Sequence, residues 1–588
     1  MRLSQSQRDC QKLSHTYSSE GKSAKNPTEK AHLFNEFFST VFTKTVPGHM
    51  EFPCDVIQPD LLLRVSTSRN QVKDILTKLD TTKSTGVDGI SARVLKECAG
   101  ELSYPLTLLF NLSFQIGKVP ISWKRANVTP VFKSDAKERV ENYRPISLLS
   151  IPAKCRERKI VHDAIYPRVA PYLTRWQHGF ARGRSCATQL VLSHHHWSKA
   201  LDEVIFLDFA KAFDRVAHDV LLQKLCNFGI SGALLNWCQD YLTNREQRVV
   251  IDGVNSSWCS IPSGVPQGSI LGPLFFAIFV NDLPEVVTPG NTVSLYADDC
   301  KTSRVINCPA DHSLFQSDID NIYRWSLQNR MEFNVKKCKL MRICKKRSPL
   351  FSDLHLNNST LQSTSDFCDL GLVTNCNLSW NNHIDKITSK ANRILGLIKR
   401  TCRGLKDDPT LRTLYPALVR SQLESCSVVW SPYQASNITK LERIQRRATK
   451  LILKTTGEYQ QRREKLNLLS LEQRRFSFDV LFLYKALNGH IDIDLSNHVQ
   501  FFKESDHYML GRKGDCTLEK NCARTNTFKY SYFNRIVDMW NSLPHSVRRA
   551  PSVEIFKRSV WHILIRSLRL SLIILFYCFG NPIYYRIL

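Results

Sequence analysis

The sequence predicts an α+β fold, because short strand-like runs and longer segments of helical periodicity share the same part of the chain. The strand-like runs are rich in β-branched and aromatic residues and fall at 128–132, 204–208, 248–251 and 293–297. Apolar residues recur at helical spacing over 31–43, 215–227, 232–243, 273–281 and 313–330. On the last of these segments, Asp318, Asp320 and Arg324 are predicted to form the solvated face. Helices are predicted to predominate beyond residue 380, and the length of 588 residues suggests three or four domains.

The charge of the chain points to a polyanionic partner. The formal net charge is +28, which favours sequence-independent contacts with phosphates. With 43% hydrophobic residues, the chain is expected to fold rather than to form a disordered basic tail. The 19 cysteines are scattered and no secretory signal opens the chain, so a cytoplasmic or nuclear compartment is expected and secretion is not.

Two cysteine- and histidine-containing segments do not reach the pattern of a metal site. Cys516 and Cys522 lie near His507, but no second pair follows at zinc-binding spacing. The run of histidines at 194–196 lies in a helix-like segment and is not predicted to bind a metal.

Three aspartates at the ends of strand-like runs form the candidate metal site. Asp298 and Asp299 end an apolar run, and Asp208 ends another one ninety residues earlier. Adjacent buried carboxylates are unfavourable unless a cation lies between them, and Mg²⁺ prefers oxygen ligands. Three such carboxylates are typical of two-metal phosphoryl transfer. Asp214 is a rival acid, but it falls on or near a predicted helix start, where a capping or helix-dipole role suffices.

These segments resemble the reverse transcriptase of non-LTR, LINE-type retrotransposons of the jockey and chicken-repeat kind. The matching blocks keep the order and spacing of that family and lie at 83–90, 123–133, 142–149, 177–185, 206–214, 263–273 and 296–299. The resemblance runs from about residue 30 to about residue 560. It implies a right-hand polymerase fold with fingers, palm and thumb.

The resemblance also implies roles for individual residues. Asp208, Asp298 and Asp299 match the catalytic acids that hold two Mg²⁺ ions, for which Mn²⁺ could substitute. The residues implied to bind the nucleotide are Lys133, Arg144, Phe213 and Gln267. The residues implied to bind nucleic acid are Arg182, Arg184, Lys386, Lys390 and Arg393. Periodicity alone would instead make Phe213 a core aromatic, and a solvated helix face is an equal alternative for Lys386, Lys390 and Arg393.

The expected domain organisation follows composition, periodicity and the resemblance together. The expected segments are a disordered basic amino terminus (1–30), a helical extension (31–113), a fingers and palm domain (114–375), a thumb-like helical region (376–435), a basic helical region (436–565) and an apolar tail (566–588). Residues 570–585 carry no charge but are too few for a membrane span, so an unrelated extension is favoured over a tail anchor, and no membrane partner is expected.

The implied function is an RNA-directed DNA polymerase that uses an RNA template, a DNA primer or target, and dNTPs. The alternative is a decayed or domesticated copy that binds nucleic acid without catalysis. Three departures from the family pattern support this alternative: Ala181 replaces a usually basic residue, the loop after Lys133 lacks a usual glycine, and the segment 153–168 has extra arginines and a proline. The endonuclease usual in such elements is also not expected before residue 30. An intron-encoded maturase is disfavoured because residues 436–560 look more like the LINE pattern.

Overall fold

The computed structural model describes residues 17–19, 22–43, 65–199, 202–343, 353–403, 409–502 and 516–575. Helices and sheets are mixed, which confirms the predicted α+β class. The strands are β1 (Tyr17–Ser19), β2 (Lys22–Ala24), β3 (Arg125–Phe132), β4 (Tyr143–Leu148), β5 (Asp202–Asp208), β6 (Arg245–Ile251), β7 (Val254–Asn255), β8 (Cys259–Ile261), β9 (Asn291–Tyr296), β10 (Asp299–Val305), β11 (Lys339–Arg342), β12 (His355–Leu356), β13 (Ser359–Thr360), β14 (Gln362–Ser363), β15 (Asp366–Asp369) and β16 (Leu372–Asn375).

The helices fall into two groups along the chain. Those that precede residue 376 are α1 (Pro27–Thr40), α2 (Arg69–Thr77), α3 (Ala92–Glu97), α4 (Ala99–Gln115), α5 (Ile121–Lys124), α6 (Ile151–Ile160), α7 (Tyr166–Val169), α8 (Cys186–Lys199), α9 (Ala212–Arg215), α10 (His218–Asn227), α11 (Gly232–Leu242), α12 (Leu271–Phe279) and α13 (Pro309–Gln328). Those that follow are α14 (Asn381–Thr401), α15 (Pro409–Leu414), α16 (Ser421–Glu424), α17 (Ser427–Trp430), α18 (Ala435–Leu453), α19 (Tyr459–Lys465), α20 (Leu471–Leu487), α21 (Asn526–Lys529), α22 (Tyr532–Asn541), α23 (His545–Arg548) and α24 (Val553–Leu575).

A five-stranded sheet, here called the central sheet, has the strand order β14-β11-β5-β10-β9. Strand β5 lies in its middle and runs antiparallel to both β10 and β11. Its residues 204–207 are all buried, because helices and strands cover both faces of the sheet. Alternate side chains of β5 therefore contribute to different cores: Ile205 and Leu207 to the largest one, Val204 and Phe206 to a smaller one.

A second sheet, here called the hairpin sheet, has the order β4-β3-β6-β7, with β8 also paired to β6. Helix α1 packs on it, and Tyr17 of β1 is buried with its ring 5.2 Å from Phe34 and 5.8 Å from Tyr143. The composition of residues 1–30 predicted disorder. Residues 1–16 lie outside the described part of the chain, whereas 17–19 and 22–24 pair as the antiparallel strands β1 and β2.

The carboxyl-terminal helices share a core that also includes Leu190 and Val191 of α8. The same helix contacts the central sheet, because Trp197 Nε1 donates to Ser303 Oγ of β10 at 3.2 Å. His195 Nδ1 lies 3.1 Å from Ser531 Oγ at the start of α22. Helix α8 therefore joins the central sheet to the carboxyl-terminal region.

Helix α13 carries one buried acid and other charged residues that are exposed. Asp318 was predicted to lie on the solvated face of its helix, but it is fully buried and accepts hydrogen bonds from Thr288 and Asn291. The prediction of a solvated face is correct for its neighbours Asp320 and Arg324, which are exposed.

The apolar tail lies partly outside the described residues, and among the described helices none is long and apolar enough to cross a membrane.

Candidate active site

The end of β5 and the β9–β10 hairpin bring the three predicted aspartates together. Asp208 is the last residue of β5 and pairs in register with Asp299, the first residue of β10. Tyr296 ends β9 opposite Asp299, so Ala297 and Asp298 form the turn between the two strands. Ala297 takes a left-handed conformation with φ of 56°, which closes this tight turn. Two adjacent strand ends thus present three carboxylates at one edge of the sheet.

The segment 176–180 supports the turn from outside the sheet. Gln177 is fully buried, and its Oε1 accepts hydrogen bonds from the backbone N–H of Gly179 at 2.7 Å and of Ala297 at 3.1 Å. The backbone around Leu295 is also bonded on both sides, by Trp176 and His178. The sequence analysis assigned Gln177 no role, although it opens one of the matching blocks.

The electrostatics of the site reflect the crowding of like charges. Burial, followed by the charges of Asp298, Asp369 and Asp208, raises the pKa of Asp299 to about 6, although this residue keeps contact with solvent. Burial also raises the pKa of Asp208, and the nearby Lys337 opposes this shift. Lys337 Nζ lies 3.8 Å from Asp208 Oδ2, and the sequence analysis did not single it out. The only signal for it was a pair of lysines following a predicted helix.

The donor set fits a hard divalent cation in its chemistry. It consists of carboxylate oxygens alone, and their mutual repulsion would be relieved by a bound cation. In the part of the chain that the structure describes, no three His, Cys, Asp or Glu side chains are drawn together closely enough to form a complete metal site. The three carboxylates are therefore adjacent, but they do not converge on one position as the ligands of a metal ion do.

A cleft of about 640 Å³ lies beside the carboxylates. Asp208 and Asp298 line it, while Asp299 lines a neighbouring cleft that also borders Asp208. All four predicted nucleotide-binding residues line the same cleft, namely Lys133, Arg144, Phe213 and Gln267. The structure thus brings Lys133 into one cleft with Asp298, which lies 165 positions later in the chain.

The four residues come from different elements and have different surroundings. Lys133 and Arg144 lie where β3 ends and β4 begins; both are exposed, and neither makes a side-chain hydrogen bond or ion pair with a described residue. Phe213 is half-buried, and its ring stacks on Phe276 with the centroids 4.6 Å apart. Phe213 was considered both as a core aromatic and as a nucleotide-binding residue. The two interpretations are compatible, because the ring packs on Phe276 and also lines the cleft.

Gln267 is held by a residue that was left out of the predicted site. Its Nε2 donates to both carboxylate oxygens of Asp214, at 3.0 and 3.1 Å. Asp214 is buried in the first turn of α9, as the predicted interaction with the helix dipole requires, and it makes no capping hydrogen bond to that helix. The backbone of Gln267 is also fixed, because its carbonyl accepts from Ser147 N at 2.8 Å. Because Nε2 donates to Asp214, the amide Oε1 of Gln267 remains as an acceptor.

The predicted nucleic-acid contacts divide into two kinds. Arg184 is engaged inside the protein: its Nε contacts Asp492 Oδ2 at 2.8 Å, and its Nη1 donates to the carbonyls of Thr174 and Gln177. The structure therefore gives it a tethering role, which the basic loop around it did not reveal. Arg182 is exposed, with its guanidinium 4.5 Å from the ring centroid of Tyr166.

Helix α14 presents the three remaining predicted residues to solvent. Lys386, Lys390 and Arg393 are exposed at helical spacing, while the opposite face of the helix is buried in the carboxyl-terminal core. This arrangement leaves a basic stripe available to a large polyanion.

Comparisons with known proteins agree with these features. Residues 133–397 match the family described as reverse transcriptase (RNA-dependent DNA polymerase). The chain is 27% identical to a probable RNA-directed DNA polymerase from transposon BS of Drosophila melanogaster, over 74% of this chain and 50% of that protein. It is 28% identical to the RNA-directed DNA polymerase from mobile element jockey of the same species, over 54% of this chain and 36% of that protein. It is 25% identical to a probable RNA-directed DNA polymerase from transposon X-element of the same species, over 65% of this chain and 43% of that protein. The chain therefore spans half or less of the length of these relatives.

Proposed function

Because residues 133–397 form a reverse transcriptase domain related to those of non-LTR, LINE-type retrotransposons, we propose that the chain is an RNA-directed DNA polymerase. In this function it extends the 3′-hydroxyl of a DNA primer with dNTPs on an RNA template. The observation that carries the proposal is the pairing of Asp208 with Asp299, with Asp298 in the adjoining turn, beside a cleft lined by basic and aromatic residues.

The proposed arrangement is that of a right hand. The central sheet is the palm and the hairpin sheet belongs to the fingers, both within residues 114–375. The helical region 376–435 is the thumb, and its α14 places Lys386, Lys390 and Arg393 toward the template and primer. What supports this assignment is the exposed basic stripe on α14 and the end-on presentation of the carboxylates by the central sheet.

Asp208, Asp298 and Asp299 are the residues that would hold divalent cations, in the proposal two Mg²⁺ ions or Mn²⁺ in their place. Bound cations supply charge neutralisation to the phosphates and ease deprotonation of the attacking hydroxyl. In their absence, Lys337 offsets part of the negative charge at Asp208.

The remaining groups of the cleft position the nucleotide. Lys133 and Arg144 bind the triphosphate, for which a point charge and a planar fork are both suited. The ring of Phe213, backed by Phe276, forms a wall against the sugar and disfavours a 2′-hydroxyl there. Asp214 fixes the amide of Gln267 beside the nucleotide. The primer hydroxyl then attacks the α-phosphorus, the bond to the bridging oxygen breaks, and pyrophosphate leaves.

Primer extension on an RNA template tests the proposal. The full chain and its Asp298→Ala variant would be supplied with a DNA primer, dNTPs and Mg²⁺. We expect extension by the parent chain and a loss of about 1,000-fold in the variant, because one of the three carboxylates that would hold the charge-neutralising cations is removed. Asp320→Ala, which removes an exposed acid from α13, is the matched control and should extend normally.

The second candidate, a copy that binds nucleic acid without catalysis, predicts a different result. It requires none of the three aspartates and would bind RNA in a salt-dependent manner with no extension by either chain. Extension by the Asp298→Ala variant at the parental rate would instead show that the metal site is wrongly assigned.

A further inference from the structure

A second cavity lies between α8 and three segments of the carboxyl-terminal half. Its volume is about 230 Å³, and its walls come from α8, the residues before α14, the junction of α17 and α18, and the residues around α21. Six of its lining side chains carry aromatic rings, and these are His194, His195, Trp380, Tyr433, Tyr530 and Tyr532. Two of the three consecutive histidines of the sequence thus contribute to this cavity.

The cavity carries no formal charge. None of its lining residues is Asp, Glu, Lys or Arg. Burial lowers the pKa of His194 well below its usual range and that of His195 to about 3, so both rings are neutral at physiological pH. In a chain with a net charge of +28, such a site is unsuited to a phosphate and suited to a neutral, planar, polar group.

The mouth of the cavity offers a stacking surface and hydrogen-bonding groups. Tyr433 and Tyr530 stack with their centroids 3.9 Å apart and their planes 8° from parallel, and Tyr433 is 43% exposed. The side-chain amides of Asn377, Gln434 and Asn526 are exposed around it, and each supplies donors and acceptors.

A positive charge lies just outside this mouth. Lys529 is exposed, and its Nζ is 5.6 Å from the ring centroid of Tyr530. A strand whose base entered the cavity would therefore keep its phosphates on the basic side, which is the pattern of single-strand binding sites.

We propose that this cavity binds one unstacked base of single-stranded RNA, which stacks on Tyr433 while the amides of Asn377, Gln434 and Asn526 contact its edge. The choice of RNA rests on the proposed function, because a polymerase copying RNA must hold template that is not yet paired. The cavity is formed by residues other than those of the polymerase cleft, so binding of a base here is separable from catalysis.

Binding of two labelled oligomers to the full chain tests the proposal. One is a single-stranded RNA of about 20 nucleotides, and the other has the same ribose-phosphate backbone without bases; both are titrated at fixed salt in the presence of EDTA. We expect Tyr433→Ala to weaken binding of the RNA about tenfold and to leave binding of the abasic oligomer unchanged, because only the stacking surface is lost. Tyr433→Phe should bind like the parent chain, since the ring is kept.

Two further variants separate this role from a structural one. Tyr104→Ala removes an exposed tyrosine of α4 that does not line the cavity, and this variant should bind both oligomers normally. Asn526→Ala alters an exposed amide at the cavity mouth and should weaken RNA binding without changing the thermal unfolding midpoint.

Three results would overturn the proposal. Equal weakening of both oligomers by Tyr433→Ala would indicate a phosphate site, and parental RNA binding by both Tyr433→Ala and Asn526→Ala would exclude the cavity. Saturable displacement of the RNA by free adenosine or uridine at micromolar concentration would assign the cavity to a free nucleoside. An inactive polymerase with the expected binding pattern would count against the proposed function and not against the cavity.

Discussion

At the scale of single residues, two of the buried charged groups, Asp214 and Arg156, have different surroundings. Asp214 is buried with a hydrogen-bond partner, since Gln267 donates to both of its oxygens. Arg156 of α6 is buried without one: its three guanidinium nitrogens have no hydrogen-bond partner among the described residues. Both groups lower stability when they are charged, but of the two only Asp214 has a hydrogen-bond partner in the described part of the chain, which offsets part of the cost.

Asp214 should give the protein a pH-dependent stability that Asp214→Asn removes. Burial raises the pKa of Asp214 to about 6, above the 3.8 of an ordinary aspartate, so folding is penalised when this group is ionised. We expect the asparagine variant to be more stable than the parent by roughly 2 kcal/mol above pH 6. The advantage should shrink as the pH falls from about 6 to about 4, where the carboxyl is protonated in both folded and unfolded chains.

Urea denaturation of the two proteins at pH 4, 5, 6 and 7 measures this difference. Asp240→Asn is the comparison, because hydrogen bonds from Lys124 and Val119 lower the pKa of Asp240 despite partial burial. That variant should be less stable than the parent at pH 7. A constant difference between Asp214→Asn and the parent at all four pH values would contradict the raised pKa.

Replacement of Arg156 by leucine should stabilise the protein. The guanidinium carbon lies 2.9 Å from the ring centroid of Phe114, and burial lowers the pKa of Arg156 to about 8, so a charge is held there at neutral pH with only aromatic faces around it. We expect Arg156→Leu to increase the free energy of unfolding by about 2 kcal/mol. Chemical denaturation at pH 7 measures it, with the half-buried Arg158→Leu as control. A lower denaturation midpoint in Arg156→Leu would show that the cation–π contacts outweigh the loss of hydration.

At the scale of elements, the β9–β10 hairpin depends on the close approach of segment 176–180. A Cβ added at Gly179 would lie 2.4 Å from the backbone N of Ala297, so no side chain fits without moving the turn that carries Asp298. The hydrogen bond from Ala297 N to Gln177 Oε1 would be lost at the same time. A glycine outside the sheet thus controls the position of a carboxylate at its edge.

Gly179→Ala should therefore reduce primer extension about 100-fold while the protein remains folded, because a displacement of about 1 Å is enough to spoil the alignment of reacting groups. Gly100→Ala is the matched control, since a Cβ there meets nothing within 4 Å and the residue lies in helix α4. The steady-state rate on a short RNA template measures the effect. A parental rate in Gly179→Ala would show that the turn can move without consequence.

The elements themselves were largely predictable from the sequence, and their contacts were not. Strands β3, β5, β6 and β9 coincide with predicted runs because their burial imposes a recognisable composition. The partners of Asp214 and Asp318 could not be predicted, because each is brought close only by tertiary folding. The internal contact of Arg184 could not be predicted for the same reason, since its partner Asp492 lies 308 residues away. The predicted roles of the site residues remain proposals.

At the scale of the whole molecule, the net charge of +28 is expected to make nucleic-acid binding strongly dependent on salt. A chain this basic attracts polyanions at many places, so the net charge alone does not identify the surface that binds. The exposed stripe of α14 is the candidate that both the sequence pattern and the structure support.

Simultaneous replacement of Lys386, Lys390 and Arg393 by alanine should weaken binding to a primer–template duplex. We expect the slope of log affinity against log salt to fall by about 2 to 3, because up to three phosphate contacts are lost. Replacing Lys73, Lys78 and Arg93, which are exposed on and beside α2 and α3, removes the same charge elsewhere and should leave the slope nearly unchanged. Equal effects of the two triple variants would mean that net charge, and not the stripe, determines binding.

Helix α8 has a consequence for where this chain can be divided. It lies inside the segment 133–397 that matches the family, yet Leu190 and Val191 are buried in the core formed by later helices. Arg184 and His195 also have their partners, Asp492 and Ser531, beyond that segment. A fragment ending at residue 397 would expose apolar side chains and leave polar ones unpaired beside the β9–β10 turn. The unit of sequence similarity is therefore smaller than the unit of folding, and a stable, soluble fragment must include the carboxyl-terminal helices.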